Sequence, residues 1–148
     1  MDNNLSKLRQ LAHHSGTREE HARAAVGLIR SIGPYRWAGL YDVTVDEIAV
    51  IAWEGPEPPS YSRFPISMGL NGAAVASKRP LIVQDVATDP RYLTTIGGTR
   101  GEMIQPIVHP SGLVVGTIDI ESERVNAFTG HDEALLGACA QALLWLWT

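Results

Sequence analysis

The strongest constraint on the fold is a pair of apolar segments that a tight turn joins. Glu102 to His109 and Gly112 to Glu121 are rich in aliphatic residues and flank Pro110-Ser111. Proline at the second position and glycine at the fourth favour a tight turn at His109-Pro110-Ser111-Gly112. Strands joined in this way run antiparallel, so we expect an antiparallel sheet.

The same turn predicts how the acidic residues of the two strands are placed. If the outer turn residues pair, counting back along both strands puts Glu102 directly opposite Asp119. Side chains alternate along a strand, so Glu121 and Glu123 lie on the same face as Asp119. Like charges that face each other are unfavourable unless a cation compensates them or one carboxyl stays protonated. An ammonium group, as on an amino acid or amine, could supply the compensating positive charge. The alternative is that these carboxylates lie at a solvated end of the sheet and bind nothing.

Helical patterns occupy both ends of the chain. The first helix is short and is followed by a break, and the second is expected to end at Gly33-Pro34. Thr129-x-x-Asp132 is typical of a capping box and predicts a last helix from Gly130 onward. Apolar residues recur at helical spacing in the first two helices: Leu5, Leu8, Leu11 and Ala12, then Ala25, Leu28, Ile29 and Ile32.

Between the helices, further strands and two long loops are predicted. The segments 36–43 and 47–53 are rich in aromatic and aliphatic residues and read as a hairpin. Shorter strands are expected at 63–66 and 80–86, with a helix capped by Asn71 that runs through Ser77. The segments 55–62 and 88–101 are rich in proline or glycine and predict loops. The order indicates an α+β fold with the terminal helices on one face of the sheet and a loop-covered ligand pocket on the other.

Composition bounds the function. The 148 residues fit one domain, 1–148, with a helical segment at 1–33 and the sheet, pocket and last helix at 34–148. A net charge of −4 favours no nucleic-acid partner, and no segment is apolar for long enough to span a membrane. Cys139 is the single cysteine, so an internal disulfide and a structural zinc site are excluded. No metal or cofactor is predicted, and the cytoplasm is the expected compartment.

Five segments in a fixed order resemble the GAF domain, a small-molecule-sensing relative of the PAS fold. The resemblance covers about Trp37 to Leu143 and implies a GAF/PAS-like antiparallel sheet. The segments are the strand from Trp37 to Tyr41, Met68 to Ala74 (MGLNGAA), Ile82 to Tyr92 (IVQDVATDPRY), Gly116 to Ser122 (GTIDIES) and Phe128 to Glu133 (FTGHDE).

Within that family the chain is similar to the free methionine-(R)-sulfoxide reductases. Trp37-x-x-x-Tyr41, Glu102 and Asp119-Ile120-Glu121 match positions where those enzymes hold the amino-acid end of their substrate. The resemblance therefore implies a pocket that binds a ligand through these residues.

The cysteines of those enzymes have no counterpart here. The matching places are near Tyr61, at Asn71 and near Thr95, and none is a cysteine. Attack on a sulfoxide needs a thiolate, and turnover needs a second thiol. Cys139 falls in the last helix, far from those loops in the expected fold. No catalytic residue is predicted.

Some candidates carry two interpretations. Trp37 and Tyr41 share one face of a strand, where they either wall a pocket or form plain core. Asp85 lies at the pocket rim in the resemblance and either caps a turn or contacts a ligand. The predicted ligand-binding residues are Trp37, Tyr41, Asn71, Asp85, Glu102, Asp119 and Glu121.

The sequence thus predicts a small-molecule-binding, sensory or regulatory GAF domain without reductase activity. The alternatives are a diverged enzyme, either of the free methionine-(R)-sulfoxide reductase type with Cys139 acting across a dimer or with a hydrolytic or isomerising activity, and a purely structural dimerisation domain. The apolar terminal helices predict either a homodimer or packing of the first helix on the last within one chain. A signalling role would need a separate partner.

Overall fold

A computed structural model describes residues 3–33 and 35–148. Its six strands form one antiparallel sheet in the order β3-β2-β1-β6-β5-β4. The strands are β1 (Trp37–Val43), β2 (Glu47–Glu54), β3 (Arg63–Pro65), β4 (Leu81–Val83), β5 (Gly101–Val108) and β6 (Val114–Ser122).

Four α-helices accompany the sheet: α1 (Asn3–Gln10), α2 (Arg18–Ile32), α3 (Gly69–Ser77) and α4 (Gly130–Leu143). Short 3-10 helices cover Leu11–His13, Val86–Thr88 and Leu144–Trp147. The predicted capping box at the start of α4 is confirmed, since Thr129 and Asp132 cap each other's backbone. Helix α2 extends to Ile32; Pro34, part of its predicted stop signal, lies outside the described residues.

The main core lies between the sheet and the helices. Its fully buried members include Leu8 of α1, Ile29 of α2 and Leu136 of α4, which pack with Leu40 and Ile118 of the central strands. These strands place alternate apolar side chains on that face, as a sheet covered on one side requires. The predicted α+β fold, with terminal helices on one face, is confirmed.

The opposite face of the sheet lies under two loops, residues 55–62 and 88–100, which we call the covering loops. Two hydrogen bonds join them: Ser60 N–H donates to the Thr95 carbonyl (2.7 Å), and Gly97 N–H donates to Glu57 Oε1 (3.1 Å). A second cluster beneath them contains the fully buried Trp37 and Tyr41. The candidate pocket therefore lies on the face opposite the terminal helices, where α3 also packs against β5 and β6.

The predicted register of β5 and β6 is wrong. Glu102 lies opposite Glu121, two residues beyond the predicted partner, and Asp119 lies opposite Ile104. Two steps of one residue each make up this displacement: His109 donates its N–H to the Leu113 carbonyl, so the turn is one residue longer than expected, and a register shift at Ile107/Val108 adds the second. Because a shift of two residues preserves the alternation, the acidic side chains stay on one face.

The apolar residues of α1 are covered within one chain. Leu8 is fully buried and Leu11 is buried, because α1 packs against α4. This arrangement matches the alternative of intramolecular packing, and the homodimer through the terminal helices stays a prediction. Among the described residues, no helix is long and apolar enough to cross a bilayer.

A polar anchor ties the C-terminus to α2 and β1. Both terminal nitrogens of Arg18 donate to Asp42 (2.8 Å each), and the Trp147 indole N–H donates to the same carboxylate (2.8 Å). The Arg18 guanidinium also lies 5.2 Å from the centre of the Trp147 ring. Partial burial opposes ionisation of Asp42, but the hydrogen bonds from Arg18 and Trp147 outweigh it and lower its pKa.

Replacing Asp42 by alanine should therefore lower the free energy of unfolding by about 1–2 kcal/mol, since the pair is partly exposed. Urea unfolding at pH 7 measures the loss. The lowered pKa means that the wild type loses this stabilisation only as the pH falls through the folded-state value, so the difference between the two proteins should shrink in acid. A difference that is unchanged at low pH would contradict this.

Candidate functional site

Three acidic side chains meet beneath the covering loops. Glu102 comes from β5, and Asp119 and Glu121 come from β6; their exposed fractions are 2%, 0% and 0%. One oxygen of each lies within 4.8 Å of one oxygen of each of the others. We call these residues the acid trio. Sequence reasoning placed all three on one face, and the structure brings them together.

The acid trio has few hydrogen-bond donors. Asn71 Nδ2 donates to Asp119 Oδ2 (3.2 Å), and Thr99 Oγ1 donates to Glu121 Oε1 (2.6 Å). Asp119 Oδ1 and Glu121 Oε2 are buried and accept no hydrogen bond from a described residue outside the trio. A protonated carboxyl within the trio could donate to one of them. Burial is the main cause that raises the pKa of each trio member, and the neighbouring carboxylates raise those of Glu102 and Asp119 further. The site is thus either a buried cluster of negative charges or a set of carboxyl groups that share protons.

Asn71 does not cap α3, and that prediction is wrong. The helix begins at Gly69 after Met68, whose side chain forms no cap, so Asn71 lies inside the first turn. Its side chain is buried and points to the sheet, where it also accepts a hydrogen bond from Thr117 Oγ1 (2.6 Å). The amide is thereby oriented with its N–H groups toward Asp119. Asn71 therefore contacts the acid trio, and its role in ligand binding stays a prediction.

Trp37 and Tyr41 lie beside the acid trio. Both are buried, and their ring centres are 6.5 Å apart. Trp37 is paired with Glu121 across β1 and β6, and the pKa of Tyr41 is raised by burial and then by the trio's charges. Both rings belong to the buried core of this face, and of the two only Tyr41 lines the small cavity described next; their contact with a ligand stays a prediction.

A small cavity opens next to the acid trio. The volume open to the centre of a water-sized sphere is about 10 Å³, room for about one water molecule. Its lining includes Glu102 together with Tyr61, Asn71 and Thr95, the positions that match or adjoin the missing cysteines. A ligand larger than water would need the covering loops to move.

Two remaining residues lie apart from this cavity. Asp85 does not line it; its carboxylate accepts the Ala87 N–H (3.1 Å) at the start of a 3-10 helix, which is the capping interpretation. Cys139 is fully buried in the core on the helical face of the sheet. The sheet therefore separates the single thiol from the cavity.

Sequence reasoning missed two hydroxyl groups of the site. Thr117 lies on the same face of β6 as Asp119 and Glu121, so strand alternation could have found it. Thr99 lies in a covering loop without periodicity, and nothing in the sequence pattern placed it against Glu121.

A metal ion and an alkylammonium group make different demands on the acid trio, whose oxygens are close enough to one another to hold either. Mg²⁺ and Ca²⁺ take six or more oxygen ligands, many of them waters or carbonyls. Besides the three carboxyl groups, the cavity has room for about one water molecule. An alkylammonium group carries three N–H donors and needs only three acceptors.

Curated relatives of the chain include an enzyme. Protein YtsP of Bacillus subtilis is 28% identical over 83% of this chain and 75% of its own length. The free methionine-R-sulfoxide reductase of Escherichia coli is 25% identical over 76% of this chain and 66% of its own length.

Solved structures share the fold. The type II free methionine-R-sulfoxide reductase of Thermoplasma acidophilum is 28% identical with a TM-score of 0.81, covering 88% of this chain and 94% of that one. The enzyme of Neisseria meningitidis, solved with its substrate, has a TM-score of 0.86 at 23% identity over 97% and 85% of the two chains. A putative GAF sensor protein of Burkholderia vietnamiensis has a TM-score of 0.84 at 21% identity over 95% and 89%.

The family model described as "GAF domain" matches residues 15–143, which is most of the chain. The fold agrees with that match, since a solved GAF domain has a TM-score of 0.85 to this chain. The chain belongs to the GAF domain family.

Proposed function

We propose that this GAF domain binds a small molecule through an ammonium group and does not reduce methionine sulfoxide. The observation that carries the proposal is the pair of buried acceptors, Asp119 Oδ1 and Glu121 Oε2, that lack a donor from the rest of the described chain. An unsatisfied buried acceptor costs about 1–3 kcal/mol, so a ligand that donates to both gains what the free protein lacks.

The start of α3 favours an amino acid among such ligands. Gly69, Leu70 and Asn71 line the cavity and form the first turn of that helix. The first N–H groups of a helix have no intrahelical acceptor, and the helix dipole favours an anion there. A ligand with an ammonium group for the acid trio and a carboxylate for α3 would satisfy both ends of the cavity. A simple amine would satisfy one end.

Thermal unfolding with a small panel of compounds tests this proposal. L-methionine and L-methionine sulfoxide carry both groups, 3-(methylthio)propylamine lacks the carboxylate, and N-acetyl-L-methionine lacks the ammonium. The first three should raise the Tm; a compound present at a hundred times its Kd stabilises by about 2.7 kcal/mol. N-acetyl-L-methionine should give no shift. No shift with any compound, or an equal shift with the acetylated one, would refute ammonium binding.

The reductase alternative rests on the relatives that carry that name. In that chemistry a thiolate takes the sulfoxide oxygen and becomes a sulfenic acid while the sulfoxide becomes a thioether. Cys139 is fully buried on the far face of the sheet, and the cavity contains no thiol among the described residues.

We therefore expect the purified chain with thioredoxin and its reductase to form no methionine above background. Chromatographic detection of methionine checks this. Cys139→Ser serves as the control, and it should behave like the wild type in the assay and in ligand binding. Sustained methionine formation that Cys139→Ser abolishes would establish the alternative instead.

The proposal also includes a regulatory role, in which a separate partner responds to ligand binding by this domain. A homodimer through α1 and α4 is part of the same proposal, and light scattering of the purified chain measures it. Twice the mass of one chain supports the dimer.

A further inference from the structure

The acid trio cannot be fully ionised in the ligand-free protein. Its three carboxyl groups are at most 2% exposed, and one oxygen of each lies within 4.8 Å of the others. No lysine, arginine or histidine of the described residues pairs with them. Like charges this close in a buried site force at least one carboxyl to keep its proton.

The surrounding donors indicate which carboxyl keeps the proton. Asp119 accepts from Asn71, and Glu121 accepts from Thr99. Hydrogen bonds donated to a carboxylate favour its ionised form. Glu102 accepts from no such donor among the described residues, and one of its oxygens lies within 4.8 Å of an oxygen of each other carboxyl. It is therefore the member best placed to carry a proton and donate it.

This assignment also accounts for the buried acceptors. Asp119 Oδ1 and Glu121 Oε2 have no donor from outside the trio. A proton on Glu102 supplies one hydrogen bond to one of them at a time. The remaining acceptor stays open for a ligand.

In the part of the chain that the structure describes, the other groups around Glu102 provide no positive charge. Burial raises the pKa of Tyr41 of β1 and of Tyr92 of a covering loop, so both are neutral at pH 7. Tyr61, which lines the same cavity as Glu102, carries no positive charge in either protonation state. On β4 the paired residue is the apolar Val83, and α3 contributes the neutral Asn71.

We propose that Glu102 holds a proton in the ligand-free protein, donates it in a hydrogen bond to Asp119 or Glu121, and releases it when a ligand's ammonium group binds. The release of the proton on ligand binding rests on the proposed function, whereas the protonation of Glu102 in the ligand-free protein does not. In the step, the O–H bond of Glu102 breaks and the proton passes to the buffer. The ligand stays an ammonium ion, and its N–H groups replace the lost donor.

The consequence is a coupling between ligand affinity and pH. Binding should release up to one proton, so affinity should rise by up to tenfold per pH unit while Glu102 is protonated in the free protein and the ligand amine stays charged. The protein would then bind less ligand at acid pH.

Calorimetric titration of the wild-type chain measures the released proton directly. The probes are L-methionine and 3-(methylthio)propylamine, each titrated at pH 7 in phosphate and in Tris, whose ionisation enthalpies differ. The difference between the two observed enthalpies should correspond to about one proton released per bound ligand. Glu102→Gln keeps a donor but cannot ionise, so it should release none, and the exposed Glu133→Gln should behave like the wild type. Binding without proton release by the wild type would overturn the inference and leave the proposed function standing.

A second measurement needs no ligand and separates the two claims. Carbon-13 NMR of the glutamate carboxyl groups, with the Glu102 signal assigned by its absence in Glu102→Gln, should show that signal in its protonated position at pH 7. An ionised Glu102 in the ligand-free chain would overturn the inference whatever binds. A protonated Glu102 together with no binding of either probe would uphold the first half and refute the proposed function.

Discussion

Asparagine in place of Asp119 should raise the free energy of unfolding at pH 8 by about 1–3 kcal/mol and should abolish binding of ammonium ligands. The substitution removes a buried charge beside Glu121, and the new side chain still offers an oxygen to Asn71. The same substitution should therefore increase the stability of the fold and abolish ligand binding. Urea unfolding measures the first effect, and the thermal shift with L-methionine measures the second.

The effect should depend on pH with a defined sign. The pKa of Glu102, Asp119 and Glu121 is raised in the folded state, so the folded chain binds more protons than the unfolded chain between pH 4 and the raised values. The wild type should lose stability as the pH rises through that window, by up to about 1.4 kcal/mol per pH unit for each proton. The gain from Asp119→Asn should accordingly be small at pH 5.

The exposed Asp46 provides the matched control. Asp46→Asn should change the free energy of unfolding by less than about 0.5 kcal/mol at either pH. A destabilising effect of Asp119→Asn at pH 8 would contradict the account of the acid trio as an uncompensated charge cluster.

Alanine in place of Trp37 should lower the free energy of unfolding by about 3–5 kcal/mol, the largest loss expected from a single residue of the pocket face. The indole is fully buried, and a Cβ at Gly39 or Gly55 would collide with it, so it fills the space that those two glycines leave. It also donates its N–H to the Glu57 carbonyl (3.1 Å) and so holds one covering loop.

Phenylalanine at position 37 separates these two roles. Trp37→Phe keeps an aromatic ring but loses the bond to Glu57, so we expect a loss of about 1–2 kcal/mol. Leu113→Ala, at a side chain that is 66% exposed, should stay within about 0.5 kcal/mol of the wild type. Urea unfolding of all three variants measures these differences. A loss below about 1 kcal/mol for Trp37→Ala would mean that the ring is not part of the packed face.

The sheet and its helices could be predicted because local patterns and tertiary packing agree. The turn at Pro110-Ser111 fixes an antiparallel pair, and Thr129-x-x-Asp132 marks the start of α4. The register could not be derived from the sequence of the turn, since the bond from His109 to Leu113 and the irregularity at Ile107/Val108 each move the pairing by one residue. Alternation survives such a shift, which is why the face of Asp119 was predicted and its partner was not.

The candidate site could likewise be predicted only in part from the sequence. Side chains on regular strands, such as Glu102 and Glu121, follow from alternation. Asn71 was misread because asparagine commonly caps helices, whereas here tertiary contacts with Thr117 and Asp119 hold it inside the first turn. Thr99 reaches Glu121 only through the path of a covering loop, which sequence periodicity does not encode.

A crystal structure of the chain grown with L-methionine tests the central claim most directly. The account predicts that the covering loops are displaced and that the ligand nitrogen lies about 3 Å from oxygens of at least two members of the acid trio. A ligand bound elsewhere, or one whose nitrogen points to solvent while Asp119 and Glu121 keep their buried oxygens unpaired, would contradict it.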